Sequence, residues 1–212
     1  MHFIFATHNA GKAREGKALF EGTHHTMQTL ADIGFTEEIP ETGTTFAENA
    51  LQKATFVYEK WAAQCPDALV LLADDSGLEV DALDGQPGVY SARFLGRNTP
   101  YANKKKAILA ALDGVPTLGR SARFVCAMAC CWRPAPGAPL CTLVVQDTLE
   151  GRIADAPHGE GGFGYDPIFW LPSHEKTLAQ ISAQEKNAIS HRAKALRQLK
   201  AKWQEVTTWP HS

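Results

Sequence analysis

The stretch LVLLADDSGLEV, residues 69–80, constrains the fold more than any other part of this chain. Residues 69–73 form an unbroken apolar run. So short a run without a polar member reads as a strand covered on both faces, the kind found inside a sheet. It stops at Asp74 and Asp75, and a Ser-Gly pair follows. Leu78, Val80 and Ala82 then alternate with polar residues, as in a half-buried strand. The expected order is strand, turn, strand. Successive strand residues face opposite ways, so the two aspartates need not share a task. Hard carboxylate oxygens suit Mg²⁺, which is often held by one or two carboxylates plus substrate phosphates. An Asx-type turn with no ligand accounts for the same residues. The sequence leaves both open.

The N-terminal region has a related form. Residues 2–7, HFIFAT, read as a short buried strand and GKAREGKALF as a helix, with Ala13, Leu19 and Phe20 as its apolar contacts. The loop between them keeps the Gly11-Lys12 pair of a Walker loop. Ala6 replaces that motif's first glycine, and Ala13 replaces its metal-binding hydroxyl. A loop that feeds a helix N-terminus can still offer free backbone N–H groups to phosphate. Thr7, Asn9 and Lys12 would add hydrogen bonds and charge. A plain β–α turn is the alternative.

Other elements are marked by period and caps. TTFAENALQKATFVYEKWA is a helix with a Thr45/Glu48 capping box and apolar residues at 46, 50, 54, 57 and 61. YANKKKAILAALDG is a further helix, and its Lys104–Lys106 run reads as a solvated face. Residues ARFVCAMACCW and LCTLVVQDTLEG, separated by RPAPGAP, form a hairpin signal. GEGGFGYDP is a glycine-rich loop in which Phe163 or Tyr165 could stack on a flat ring. A flexible loop with a buried tyrosine would look the same. SAQEKNAISHRAKALRQLKAKW is helical, with a Ser182/Glu185 capping box. In one unbroken helix Lys186 and His191 would point about 140° apart. A new helix capped at Ser190 would let His191 and Arg192 turn toward the side of Lys186. Together these readings give a mixed α/β fold around a long twisted sheet.

A net charge of −2 argues against a nucleic-acid binder. The five cysteines, Cys65, Cys126, Cys130, Cys131 and Cys141, are odd in number and contain no C-x-x-C, so neither a disulfide frame nor a zinc site is expected. No apolar run approaches a membrane span. The expected setting is the cytoplasm, without a membrane partner.

Five segments occur together and in order: ATHNAGKAREGK, ETGTTFAENALQKA, LADDSGLEVDALDGQPGVYSARF, GGFGYDPIF and QEKNAISHR. The combination resembles the inosine triphosphate pyrophosphatase family, from residue 3 to about residue 200. The resemblance implies an elongated single domain over 1–212, with two lobes around one central sheet. It implies a cytoplasmic homodimer that uses Mg²⁺ to hydrolyse ITP, dITP and XTP to the monophosphate and pyrophosphate. Carried over by motif, Thr7, His8, Asn9, Ala10, Gly11 and Lys12 bind the triphosphate, and Lys53 faces its phosphates. Asp75 is the catalytic carboxylate and touches the metal or its water, with Ser76 beside the substrate. Phe163, Gly164, Tyr165, Asp166 and Lys186 line the nucleotide pocket, while His191 and Arg192 read the base. Two positions depart from the pattern. Pro40 stands where a metal-contacting glutamate is frequent, so either Glu41 substitutes as a ligand or Asp75 suffices together with phosphate oxygens and waters. His8 stands where glycine is frequent.

Overall fold

The computed structural model describes residues 2–20, 26–62 and 69–206. Cys65 lies outside them, as does the side chain of Leu19. Seven strands form one sheet: β1 (His2–Phe5), β2 (Thr26–Thr29), β3 (Leu69–Val80), β4 (Ser121–Trp132), β5 (Cys141–Ile153), β6 (Phe169–Leu171) and β7 (Lys176–Thr177). Their spatial order is β2-β1-β3-β4-β5-β6-β7. Strand β1 pairs in parallel with β2 and β3, and β6 pairs antiparallel with β5 and β7. The helices are α1 (Ala10–Phe20), α2 (Phe46–Trp61), α3 (Tyr101–Ala111), α4 (Ala183–Ile189) and α5 (His191–Val206). The fold is therefore the mixed α/β arrangement expected from the pattern.

The chain divides into two compact units. The first comprises Met1–Asp75, Cys126–Asp147 and Arg192–Ser212; the second comprises Ser76–Val125 and Thr148–His191. Each has its own apolar core. In the first, Phe3, Phe5, Val70, Leu72, Met128 and Leu199 are buried together. In the second, Leu78, Ile108, Phe124, Ile153, Ile168 and Phe169 are.

Local chemistry explains the elements. Helix α2 begins where Thr45 Oγ1 accepts the Glu48 N–H at 3.1 Å and the Glu48 carboxylate accepts the Thr45 N–H at 3.1 Å. The same reciprocal box, between Ser182 and Glu185, opens α4. Two expectations need correction. Residues 74–77 form no turn: β3 runs unbroken through Asp74 and Asp75, whose charges are met by cations from elsewhere in the chain. Lys104 does not belong to a solvated face. It is buried, with its Nζ donating to the Ala92 carbonyl at 2.5 Å and lying 4.8 Å from the Tyr101 ring centre. The adjacent Lys106 is exposed.

Candidate active site

Helix α2 presents one buried stripe, Phe46, Asn49, Ala50, Lys53, Ala54, Val57 and Tyr58. Two of these seven are polar, and both reach Asp75. Lys53 Nζ lies 2.9 Å from Asp75 Oδ1 and 2.9 Å from Glu41 Oε1. Asn49 Nδ2 donates to Asp75 Oδ2 at 3.1 Å, while Asn49 Oδ1 accepts the Gly43 N–H at 2.8 Å. One amide thus fastens Asp75 to the backbone two residues beyond Glu41. Burial alone would push the Lys53 ammonium down. The Asp75, Glu41 and Asp74 carboxylates outweigh that, and its pKa stands above the ordinary lysine value. The group stays charged at neutral pH.

Asp74, pointing the other way along β3, meets a different set. Its Oδ2 lies 3.0 Å from Lys12 Nζ and 3.1 Å from Arg192 Nε. Arg192 Nη1 also pairs with Glu15 on α1. The two aspartates do divide their tasks, as strand alternation requires.

Several residues of the opening loop, and Arg192, are already engaged within the chain. Asn9 does not leave the helix amides free: its Oδ1 accepts the N–H groups of Gly11 and Lys12, at 2.9 and 3.1 Å. Asparagine is among the strongest N-caps, so this is its ordinary use, and Nδ2 is left to donate elsewhere. Thr7 Oγ1 similarly accepts the Asn9 N–H at 3.2 Å. His8 is exposed and turns to the segment after β2, with Nε2 3.0 Å from the Glu37 carbonyl and its ring stacked on Phe35. Arg192, expected to read a base, has a side chain only 2% exposed, set among carboxylates. A buried guanidinium has to be paired, and here the pairing comes from Asp74 and Glu15. Ala10 is exposed and Gly11 buried.

The second unit holds its own cluster. Gly162 adopts φ +69°, and a Cβ there would lie 2.0 Å from Asp166 Oδ2. That oxygen accepts the Phe163 N–H at 2.8 Å and pairs with Lys186 Nζ at 2.5 Å. Lys186 Nζ also sits 4.6 Å from the centre of the half-buried Phe163 ring. Of the two aromatic residues considered for stacking, Tyr165 is the one engaged within the core. It is buried, donates its hydroxyl to the Ser91 carbonyl at 2.9 Å and packs edge-on against Tyr101. Gly164, also at positive φ, abuts Tyr101. The chain does break between α4 and α5, at Ser190, whose ψ is 151°. His191 follows and stacks on Phe124 with ring centres 4.9 Å apart. Ser76 is half-buried on β3.

Asn49 escaped the sequence reading. The available signal was a polar residue three positions after Phe46, on the apolar stripe of a well-marked helix. Among the described residues no group of three or more His, Cys, Asp or Glu side chains could hold a metal ion. The donor set that does exist, two carboxylates meeting at one point, fits a hard cation that completes its shell with substrate and water oxygens.

Compared with known proteins, residues 3–202 match the Ham1 family. This chain belongs to that family. The Ham1-family chain is 49% identical over 203 residues to a protein of Geobacillus kaustophilus named dITP/XTP pyrophosphatase, covering 96% of this chain and 94% of the relative. It is 47% identical over 196 residues to the dITP/XTP pyrophosphatase of Bacillus subtilis, covering 92% and 93%. Among solved structures it is similar to a HAM1 protein from Coxiella burnetii, with a TM-score of 0.78 and 38% identity over 97% of this chain and all of that one. The Staphylococcus aureus Ham1 protein gives a TM-score of 0.76 at 37% identity, over 97% and 99%.

Proposed function

We propose that this protein hydrolyses non-standard purine nucleoside triphosphates (ITP, dITP and XTP) to the monophosphate and pyrophosphate, and so cleanses the nucleotide pool. The observation that carries this reading is the Glu41–Lys53–Asp75 set in a chain 49% identical to a protein named dITP/XTP pyrophosphatase.

Asp75 and Glu41 are the residues that would hold Mg²⁺. Bound there, the ion would supply charge neutralisation for phosphate oxygens and a more acidic water. Asp75, with one oxygen fixed by Asn49, orients and deprotonates the water that attacks the α-phosphorus. Lys12 and Lys53 neutralise negative charge that develops on the phosphates and on the leaving pyrophosphate. Asn9 Nδ2, Thr7, and the backbone N–H groups of His8 and Ala10 complete the phosphate contacts, with Gly11, whose own N–H is held by Asn9 Oδ1, leaving room at the turn. Phe163 offers a ring face to the base, with Gly164, Asp166, Lys186 and Ser76 as neighbours of the nucleotide.

Base choice follows from hydrogen-bond polarity. Hypoxanthine and xanthine carry an acceptor oxygen at C6, whereas adenine carries a donor amino group. Donors from His191 and Arg192 would be satisfied by the keto bases and left unpaired by adenine, which discriminates by orders of magnitude. Arg192 contributes to this only as far as it is released from Glu15. The same reading places the protein in the cytoplasm as a homodimer.

Incubation with ITP, dITP, XTP, GTP and ATP plus Mg²⁺, with the products resolved chromatographically, tests the proposal. Monophosphate and pyrophosphate from ITP and XTP, with little from ATP, are expected. Release of inorganic phosphate and a diphosphate would overturn the reaction, and equal rates on ATP would overturn the specificity.

A further inference from the structure

Lys53 has two roles that cannot be filled at once. Its Nζ sits 2.9 Å from each of two carboxylate oxygens, which are therefore no farther apart than twice that distance. These are the oxygens proposed above to hold the metal. The side chains of Lys53 and Asp75 are 7% and 9% exposed, so little solvent screens the contact. The lysine stem is fixed on the buried stripe of α2, and Asn49 holds Asp75 from its other oxygen. Asp75 thus has little freedom to move away from the ammonium, while Glu41, whose side chain is 30% exposed, closes the pair from the solvent side.

We infer that Lys53 is the resident counter-ion of the metal site: its ammonium holds the place of the divalent cation until a triphosphate arrives to take the ammonium away. The inference rests on the functional reading given above. The physical case is one of charge. A divalent cation that enters alone must compete with Lys53 for Asp75 and Glu41, and it would strand a buried ammonium against a second positive charge. A cation that enters with a triphosphate brings anionic oxygens onto which Lys53 Nζ can swing. The lysine then reaches the phosphates at the moment when the carboxylates become free. Lys53 therefore makes occupancy of the metal site conditional on the nucleotide, and the free enzyme keeps a weak affinity for divalent ions.

The test is Mn²⁺ binding to the nucleotide-free protein, followed by electron paramagnetic resonance at pH 8. Lys53→Met keeps the length of the stem and removes the charge. It is expected to bind Mn²⁺ at least about tenfold more tightly than the wild type, because a unit positive charge at contact distance is gone. Lys53→Arg, which keeps the charge, should bind as weakly as the wild type. Adding Asp75→Asn to Lys53→Met should abolish the gain. A Lys53→Met protein that binds Mn²⁺ no better than the wild type overturns the inference, as does a Lys53→Arg protein that binds as tightly as Lys53→Met. Should Lys53→Met fail to fold, the wild-type ammonium decides the same point by ¹⁵N-detected NMR of its Nζ. Mg²⁺ alone should leave that signal in place, and Mg²⁺ with α,β-imido-ITP should move it; a shift with Mg²⁺ alone overturns the inference. Failure of the substrate reading would show separately, as no turnover of ITP by the wild type, and the Mn²⁺ comparison does not depend on that result.

Discussion

At the scale of single residues, Asp74 and Asp75 are neighbours with opposite duties, and mutation should separate them. Asp75 shares its lysine with Glu41, so Asp75→Asn leaves Lys53 a carboxylate partner and the fold intact. Loss of a positioned general base should lower kcat about 10²- to 10⁴-fold, with an unchanged circular dichroism spectrum. Asp74 meets Arg192 and Lys12, and the Arg192 side chain is 2% exposed. Asp74→Asn should therefore reduce stability, by about 2 kcal/mol. That is less than the ~3–5 kcal/mol of a stranded buried charge, because Glu15 still faces Arg192. Urea midpoints of the two variants, measured side by side, check both statements: both should lie below the wild type, with Asp74→Asn, which takes a partner from both Lys12 and Arg192, below Asp75→Asn, which takes one from Lys53 alone.

At the scale of elements, the local signals served well. The period of α2 and both capping boxes were readable because each depends on residues within four positions of one another. Thr45→Ala should cost about 1 kcal/mol of stability by removing the cap, read from thermal or urea unfolding. The hairpin β4–β5 was equally legible from its two β-prone runs and the loop between them. Residues 74–77 read as a turn in sequence for a physical reason. Aspartate is depleted in strands, and the cations that make it acceptable here, Lys12 and Arg192, are distant in sequence. Four-residue β2, TMQT, carries no alternation strong enough to announce itself. At the end of β2, Asp32 accepts from Lys17 of α1 and from the backbone and hydroxyl of Thr29. The Lys17 hydrogen bond first, then those from Thr29, lower its pKa from 3.8 to about 2. A depressed carboxylate stabilises the fold above its unfolded pKa. Its contribution is lost as pH falls from 3.8 toward about 2. The stability difference between wild type and Asp32→Asn should accordingly be constant near neutrality and shrink across that acid interval, as followed by urea unfolding at stepped pH.

At the scale of the whole molecule, the family was legible because its motifs are short, ordered and spread along the chain. The partners of its side chains were not. That Asn9 caps its own helix, that Tyr165 is anchored to Ser91 and that Arg192 lies among carboxylates are all facts of tertiary packing. No helix of the described residues is long and apolar enough to cross a membrane. The described cysteines offer a global probe of folding. Cys126, Cys130 and Cys131 are buried in β4, and burial pushes the Cys130 thiol up to about 12 and raises Cys131 as well. Cys141 is half-buried at the start of β5. In the native protein Cys141 should react with a thiol reagent well before those three, which should follow only at the rate of unfolding. Mass spectrometry of timed alkylation reads the order directly.

The geometry at Gly162 has a consequence for how this protein can change by descent. A left-handed backbone and the Asp166 carboxylate, 2.0 Å from where a Cβ would stand, close that position to every other amino acid. A library that randomises residues 160–166 and is selected for function should return glycine at 162 in every survivor. Variation should be admitted at the exposed Glu160, whereas Gly161 is restricted as well, because a Cβ there would lie 2.8 Å from the Ala179 carbonyl oxygen. New base preferences would then have to be reached by exchanging side chains around an unchanging backbone bend.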